Sequence, residues 1–232
     1  VFSSNTSQKA YEEDVLLAGF GAAPTKNEGA SVSYDDAGQQ WTARYQHETV
    51  ALAFSITEEA EEDGQYGSIA SRYTKALARS MSSTKEIKAA NVLNNATSAN
   101  GGDGTTLLST AHPTQNGNQS NTLATAADLS ETSLESILIQ IADMKDERGL
   151  RVAAQGTQLI IPTAYTFVAE RLLESQLRTG TADNDINAIK SGGYLPKGYH
   201  VMRRLTDADQ FFVQTDVPDG LKYFTRSAMK KG

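Results

Sequence analysis

YGSIASRYTKALARSMSSTKEIKAANVLNN, residues 66–95, is the stretch around which the chain is organised. Ile69, Tyr73, Ala76, Leu77, Met81, Thr84 and Ile87 recur at steps of three and four, which puts them on one face of a helix. The other face is basic: Arg72, Lys75, Arg79, Lys85 and Lys88 are balanced only by Glu86. No Gly or Pro lies between Ser68 and Asn95. The spacing therefore predicts one unbroken helix, about 45 Å long at 1.5 Å per residue. Helices of compact domains are usually shorter, so a spar of this length points to an extended subunit.

Upstream the period changes. Residues 1–14 are polar and offer little to bury, which reads as an arm. Residues 15–56 alternate at Trp41, Ala43 and Tyr45 and again at Val50, Leu52, Phe54 and Ile56, a strand pattern. Gly19, Gly21, Pro24, Gly29 and the Asp35-Asp36-Ala37-Gly38 turn punctuate them as in a hairpin. Such a hairpin has little apolar bulk beyond Trp41 and needs another surface, because an isolated hairpin is only marginally stable. Residues 57–63, TEEAEED, place five carboxylates directly ahead of the long helix. Two readings stand side by side. Acids favour a helix N-terminus by roughly 0.3–1 kcal/mol each, and they also complement the basic helix face of another copy.

Downstream, residues 97–127 are polar and loop-rich, a connector longer than compact domains tolerate without a reason. Residues 130–147 read as a second helix with Leu134, Ile137, Leu138 and Ile141 on one side, Thr132 and Glu135 as a capping box, and Gly149 as its stop. An apolar strand at residues 157–161 precedes Pro162 and a third helix over residues 163–176, with Phe167, Val168 and Leu172 inward. GYHVMRRL, FFVQTD and LKYFTR, separated by turns, are expected to pair as an antiparallel meander beside residues 159–161.

Composition narrows the chemistry. The chain has 232 residues, 39% of them apolar, a formal net charge of −7 and a pI near 5.0. That size supports a real core, and the acidic balance argues against a protein that coats nucleic acid. The absence of Cys removes disulfides, thiolate metal sites and cysteine catalysis together. No apolar run approaches the ~20 residues of a membrane span. His47, His112 and His200 are not at the helical spacing of a two-His metal site, and no G-x-S-x-G elbow supports a Ser-His-Asp triad. Residues 183–187, DNDIN, imitate half of a calcium loop, yet Ala188 stands where the turn needs Gly and Tyr194 where the site needs a bidentate Glu. Gly101-Gly102-Asp103-Gly104 lacks both the preceding strand and the GK[ST] of a phosphate loop. The expectation is a protein that is not an enzyme and that carries no catalytic, cofactor-binding or metal residues.

A family resemblance runs through the whole chain. AGFG, the Glu28-Gly29 pair, SITEEAEEDGQYG, AANVLNNA, DGTTLLSTAHP, SNTLATAADLSETSLE, RGLRVAAQ, LIIPTAYTFVAERLL, NDINAI and TDVPDGL occur in an order that resembles the major capsid protein of tailed double-stranded DNA bacteriophages, most closely the major head subunit of Mu-like phages and prophages. The resemblance implies an α+β fold, the phage major capsid fold of the Hong Kong type shared with encapsulins. It divides the chain into an arm remnant (1–14), an E-loop hairpin (15–57), a P domain (58–125) whose spine helix (66–95) packs its apolar stripe within its own subunit, and an A domain (126–232). The sequence lacks an initiator Met and stops at Lys231-Gly232, before the strands with which the family returns to its P domain, so it is expected to be an interior or processed stretch.

The implied function is structural: self-assembly into hexamers and pentamers that form an icosahedral head, in the virion, after assembly in the bacterial host cytoplasm. Implied partners are further copies, portal and scaffold or decoration proteins, and packaged DNA bound without sequence specificity, with no membrane. Expected subunit contacts are Phe20 and Trp41 on the hairpin, Glu58, Glu59, Glu62 and Asp63 in the acidic run, and Arg72, Lys75 and Arg79 on the helix. An encapsulin-like nanocompartment shell is the alternative within the same class, and a soluble α/β hydrolase the alternative from another.

Overall fold

The computed structural model describes residues 1–62, 64, 66–178 and 185–228. Its longest element is helix α2, Tyr66–Asn94, which matches the expected spar to within one residue. Only the C-terminal end of α2 is built into the body. Ala90, Leu93 and the following Ala96 are buried, whereas Tyr73, Ile87 and Val92 are exposed. The stripe expected to pack within its own subunit is thus partly covered: Ile69, Leu77, Met81 and Thr84 are half-buried, Tyr73, Ala76 and Ile87 are exposed, and full burial is confined to the last turns. Polar clamps hold that end. Asn94 Nδ2 donates to the Arg204 carbonyl at 3.1 Å and Asn94 Oδ1 accepts from Thr206 N–H at 3.1 Å. Arg204 also reaches back to Ser83 Oγ at 2.7 Å.

The core lies beyond the helix. Strand β6, Gly156–Ile161, runs in the middle of a three-stranded sheet, parallel to β7 (Tyr199–Val201) and antiparallel to β8 (Phe212–Thr215). Leu159, Ile160 and Ile161 are buried in succession, as a strand covered on both faces requires. Helices α3 (Glu131–Ala142) and α4 (Thr166–Glu174) supply Leu134, Ala169 and Leu173 to the cluster around Leu159 and Ile161. A methyl on Gly156 would lie 2.7 Å from Leu138 Cδ2, so the strand and α3 are in the closest contact that a glycine permits.

Three local expectations shift. Helix α3 is capped by Ser130 and Ser133, each side-chain oxygen accepting from the other's backbone N–H, in place of Thr132 and Glu135. Phe167 points outward at 76% exposure, whereas Val168 and Leu172 pack against the core as expected, beside the fully buried Ala169 and Leu173. The tail does not form a meander: β7 is parallel to β6, and the last strand, β9 (Lys222–Thr225), leaves the sheet to pair in parallel with β1 (Ser3–Thr6).

Residues 1–14 are accordingly tied down. Besides β1, they contain the first part of β2 (Tyr11–Ala18), so the boundary drawn at residue 14 falls inside a strand. Strand β2 pairs antiparallel with β3, Gly38–Gln46, with a register shift between Val15 and Leu17. Residues 47–57 form no strand despite their alternation. They run as a strap along α2: Lys88 Nζ donates to Glu48, and Phe54 meets the Tyr73 ring edge-on at 5.7 Å. Six residues of extended chain, about 20 Å, therefore span fifteen residues of helix, about 22 Å, in the opposite direction.

Candidate subunit interface

The hairpin is seated on the connector that reads as mere loop. Trp41, the one tryptophan, lies over the 101–105 turn: a methyl on Gly102 would come 2.6 Å from Trp41 Cζ3 and 3.0 Å from the Ala43 methyl. The turn beneath is stiffened from within. Asp103 Oδ2 accepts from Thr105 Oγ1 at 2.6 Å and lies 2.7 Å from His112 Nδ1, and Thr105 N–H donates to Asp103 Oδ1 at 3.1 Å. Burial alone would raise the Asp103 pKa. The hydrogen bonds from Thr105 and His112 outweigh it and hold the carboxyl below its usual value.

Thr, His and Asp together invite comparison with a catalytic relay, but the geometry is wrong for one. A relay joins nucleophile and carboxylate to opposite nitrogens of the imidazole. Here Thr105 Oγ1, at 3.0 Å, and Asp103 meet the same Nδ1, and Nε2 is buried without a hydrogen-bond partner. The cluster is a brace for the 101–105 turn. Among the described residues no group of three or more His, Asp or Glu side chains is placed to hold a metal ion, and no helix is long and apolar enough to cross a membrane. The calcium-like DNDIN run divides likewise. Asn187 caps the short helix α5 (Ala188–Gly192) and donates to the Leu172 and Ser175 carbonyls, while Asp183 and Asn184 lie outside the described residues.

The tip of the hairpin, residues 19–37, is fastened by one charged contact. Arg148 Nη2 donates to Asp35 Oδ1 and Oδ2 at 2.5 and 2.6 Å, while its Nη1 donates to Gln115 Oε1 at 2.8 Å. Asp35 Oδ2 also accepts from Gly21 N–H at 2.8 Å, across the loop. The Arg148 guanidinium first, and the Gly21 amide second, hold the Asp35 carboxyl below the ordinary range. Arg148 is aimed by the turn that carries it. Its N–H and that of Leu150 both donate to Asp146 Oδ1, and Gly149, at φ +88°, leaves room for Asn116 that a side chain would fill.

Around this framework lie the residues expected to meet neighbours. Phe20 is 60% exposed and Tyr34 95% exposed, with Leu17 and Val32 also bare. Glu58, Glu59 and Glu62 are exposed on α1, Glu58–Glu62, and Asp63 lies outside the described residues. Complementarity with the α2 dipole is not their explanation: the acids form a helix of their own, Gly64 follows at φ +69°, and the first turn of α2 holds no acidic residue. Arg72, Lys75 and Arg79 are exposed and make no ion pair among the described residues. Among the described residues of the expected set, Trp41 alone is engaged inside its own chain. The sequence reading missed Asp35, Arg148 and Gly102. Asp35 carried a turn signal, but nothing local joins it to a residue 113 positions away.

The sequence model of one family, described as phage capsid protein, matches residues 39–228. No curated protein sequence matches the chain. Among solved structures the chain is similar to the capsid of bacteriophage JBD30 decorated with minor capsid protein trimers, with a TM-score of 0.68 and 12% identity over 88% of this chain and 89% of that one. A second structure, of the bacteriophage JBD30 capsid, gives a TM-score of 0.65 at 12% identity, covering 87% of each chain. At that identity the likeness shows the fold: the α+β arrangement expected from the resemblance is the capsid fold of the Hong Kong type.

Proposed function

Since the chain belongs to the phage capsid protein family, as a structural capsid subunit of a tailed phage, we propose that copies of it associate as hexamers and pentamers and close an icosahedral head around double-stranded DNA. Assembly takes place in the bacterial host cytoplasm. In this reading the hairpin and its strap are the E-loop, α2 is the spine of a P domain reaching to about residue 125, and the sheet with α3 and α4 is the A domain. Portal and scaffold proteins join the shell, and decoration proteins dock on it, as minor capsid protein trimers do on the JBD30 capsid. The DNA is held without sequence-specific contacts, in keeping with an acidic chain.

The observation that carries the reading is the separation of exposed charge. Acidic α1 and the basic residues Arg72, Lys75 and Arg79 sit apart on one subunit, each without an ion pair among the described residues. Head-to-tail contact between copies satisfies both, and a heterologous contact of this kind forms a ring where the rotation between copies closes. Phe20 and the exposed Tyr73 and Ile87 of α2 add apolar area.

Electron microscopy and light scattering of the purified chain test the reading. Rings or closed shells are expected, and a wild-type chain that stays a stable monomer defeats it. Arg72→Glu with Arg79→Glu is expected to leave circular dichroism unchanged and abolish the assemblies. Normal assembly of that variant removes the charge contact while leaving the shell itself in place.

A further inference from the structure

We propose that Asp35 and Arg148 form a latch that preorganises the hairpin tip before assembly, presenting Phe20 and Tyr34 together to a second copy of the chain. The inference rests on the assembly reading above for its last step only.

Three observations meet at this point. Asp35 is bonded to two places at once, to Gly21 within the loop and to Arg148 across the subunit. The residues immediately before those two loop anchors are Phe20 and Tyr34, and both are left in water. The receiving arginine is itself aimed, by the Asp146 turn below and Gln115 beside it. Within the 19–37 loop, whose ends are held by the β2–β3 pairing of Ala18 with Gly38, one carboxylate thus ties residue 35 to residue 21 and brings the backbone of its two bare aromatics to the same cross-link. Leaving such a loop free would charge its ordering to the moment of subunit contact, at a cost in entropy for every residue fixed. An exposed ion pair is weak and screened by salt, so the contact biases the tip without locking it. It is a device that can still yield when a neighbour arrives.

Hydrogen exchange on the unassembled chain reads the latch directly. Asp35→Ala is expected to speed exchange of the Gly21 amide and of the 19–37 segment by about fivefold, the effect of losing one exposed pair. Arg148→Gln is expected to do so to a smaller extent, since the Asp35–Gly21 bond survives in it, and the double variant to do no more than Asp35→Ala, which already removes the ion pair. Wild-type exchange in Asp35→Ala overturns the latch, and so does full additivity of the two changes. If Arg148→Gln fails to fold, Asp35→Ala, at an exposed loop position, still decides. The concentration at which assemblies first appear is expected to rise about fivefold in Asp35→Ala. An unchanged value, with exchange accelerated, overturns the presentation step. Failure of the wild-type chain to assemble counts against the assembly reading and leaves the exchange result to judge the latch by itself.

Discussion

Gly102→Ala is the sharpest test of how the hairpin is seated. Gly102 has an ordinary backbone conformation, so an alanine there tests space alone. The new methyl would stand 2.6 Å from Trp41 Cζ3, closer still to Cε3, and 3.0 Å from the Ala43 methyl. All three are well inside van der Waals contact, and none is the tip of a flexible chain. The indole is rigid, and Ala43 is held in the β2–β3 register opposite Asp14. Relief must come from swinging the ring or lifting the strand, and overpacking of that kind costs about 1–3 kcal/mol. With a urea m-value of about 2 kcal/mol/M, the midpoint moves down by about 0.5–1.5 M. The assay is built in. Trp41 is the only tryptophan, so its emission reports the seat of the hairpin directly. The variant is expected to emit at longer wavelength before any urea is added, and to lose its tryptophan transition at lower urea than wild type. Trp41→Ala in the Gly102→Ala background is expected to remove most of the added penalty, because the two changes share one contact. Unchanged emission and an unchanged midpoint in Gly102→Ala would refute the seating of Trp41 on this turn.

Two further changes test the core and the brace. Leu173→Ala is expected to cost about 2–5 kcal/mol and Phe167→Ser less than about 0.5 kcal/mol in urea unfolding, the reverse of what the inward placement of Phe167 implies. Asp103→Asn is expected to cost about 1.5–3 kcal/mol at neutral pH, the worth of hydrogen bonds to a charged acceptor. The Asp103 pKa is lowered in the fold, so its contribution is complete above the unfolded value of about 3.9 and is lost as pH falls through the lower folded value. Wild type and variant should therefore converge in unfolding midpoint as pH drops below about 4, and a constant gap down to pH 2 contradicts the assignment.

What could be read from the sequence was what repeats over many residues. Helix α2 declares itself because its period is sustained over 29 residues, and β6 and α4 because an apolar run and Pro162 bracket them. Single-turn decisions were less secure. Ser130 and Ser133 cap α3 at the same spacing as Thr132 and Glu135, so spacing by itself does not choose between the pairs. Alternation at Val50, Leu52, Phe54 and Ile56 records an extended chain with two unlike sides, which a strap on a helix satisfies as well as a strand in a sheet. Pairing between residues 3–6 and 222–225, like the reach from Asp35 to Arg148, leaves no trace in local pattern at all. For the candidate interface the outcome divides in the same way. Exposed charge on α1 and α2 was legible from composition and period, while the seat at Gly102 and the latch at Arg148 depend on contacts between distant segments.

The partly covered stripe of α2 links these findings. Its last turns are buried and clamped, but from Tyr73 to Ile87 Leu77, Met81 and Thr84 are only half-buried and Tyr73 and Ile87 are exposed, with the strap on one side through Phe54 and Glu48 and Arg204 reaching Ser83 and Glu86. A long amphipathic helix gains most of its stability from tertiary cover, so this half of the spar has less in the lone subunit than its sequence was built for. Any contact that covers it in a neighbour adds to the stability of the helix as well as to the shell, since binding to the folded form stabilises it by mass action. The strap, the seat at Trp41 and the latch at Asp35 all belong to one continuous stretch, residues 11–57, leading into that helix. Assembly through the hairpin would therefore be felt along the spine, and subunit folding and shell formation in this chain are two readings of the same surface.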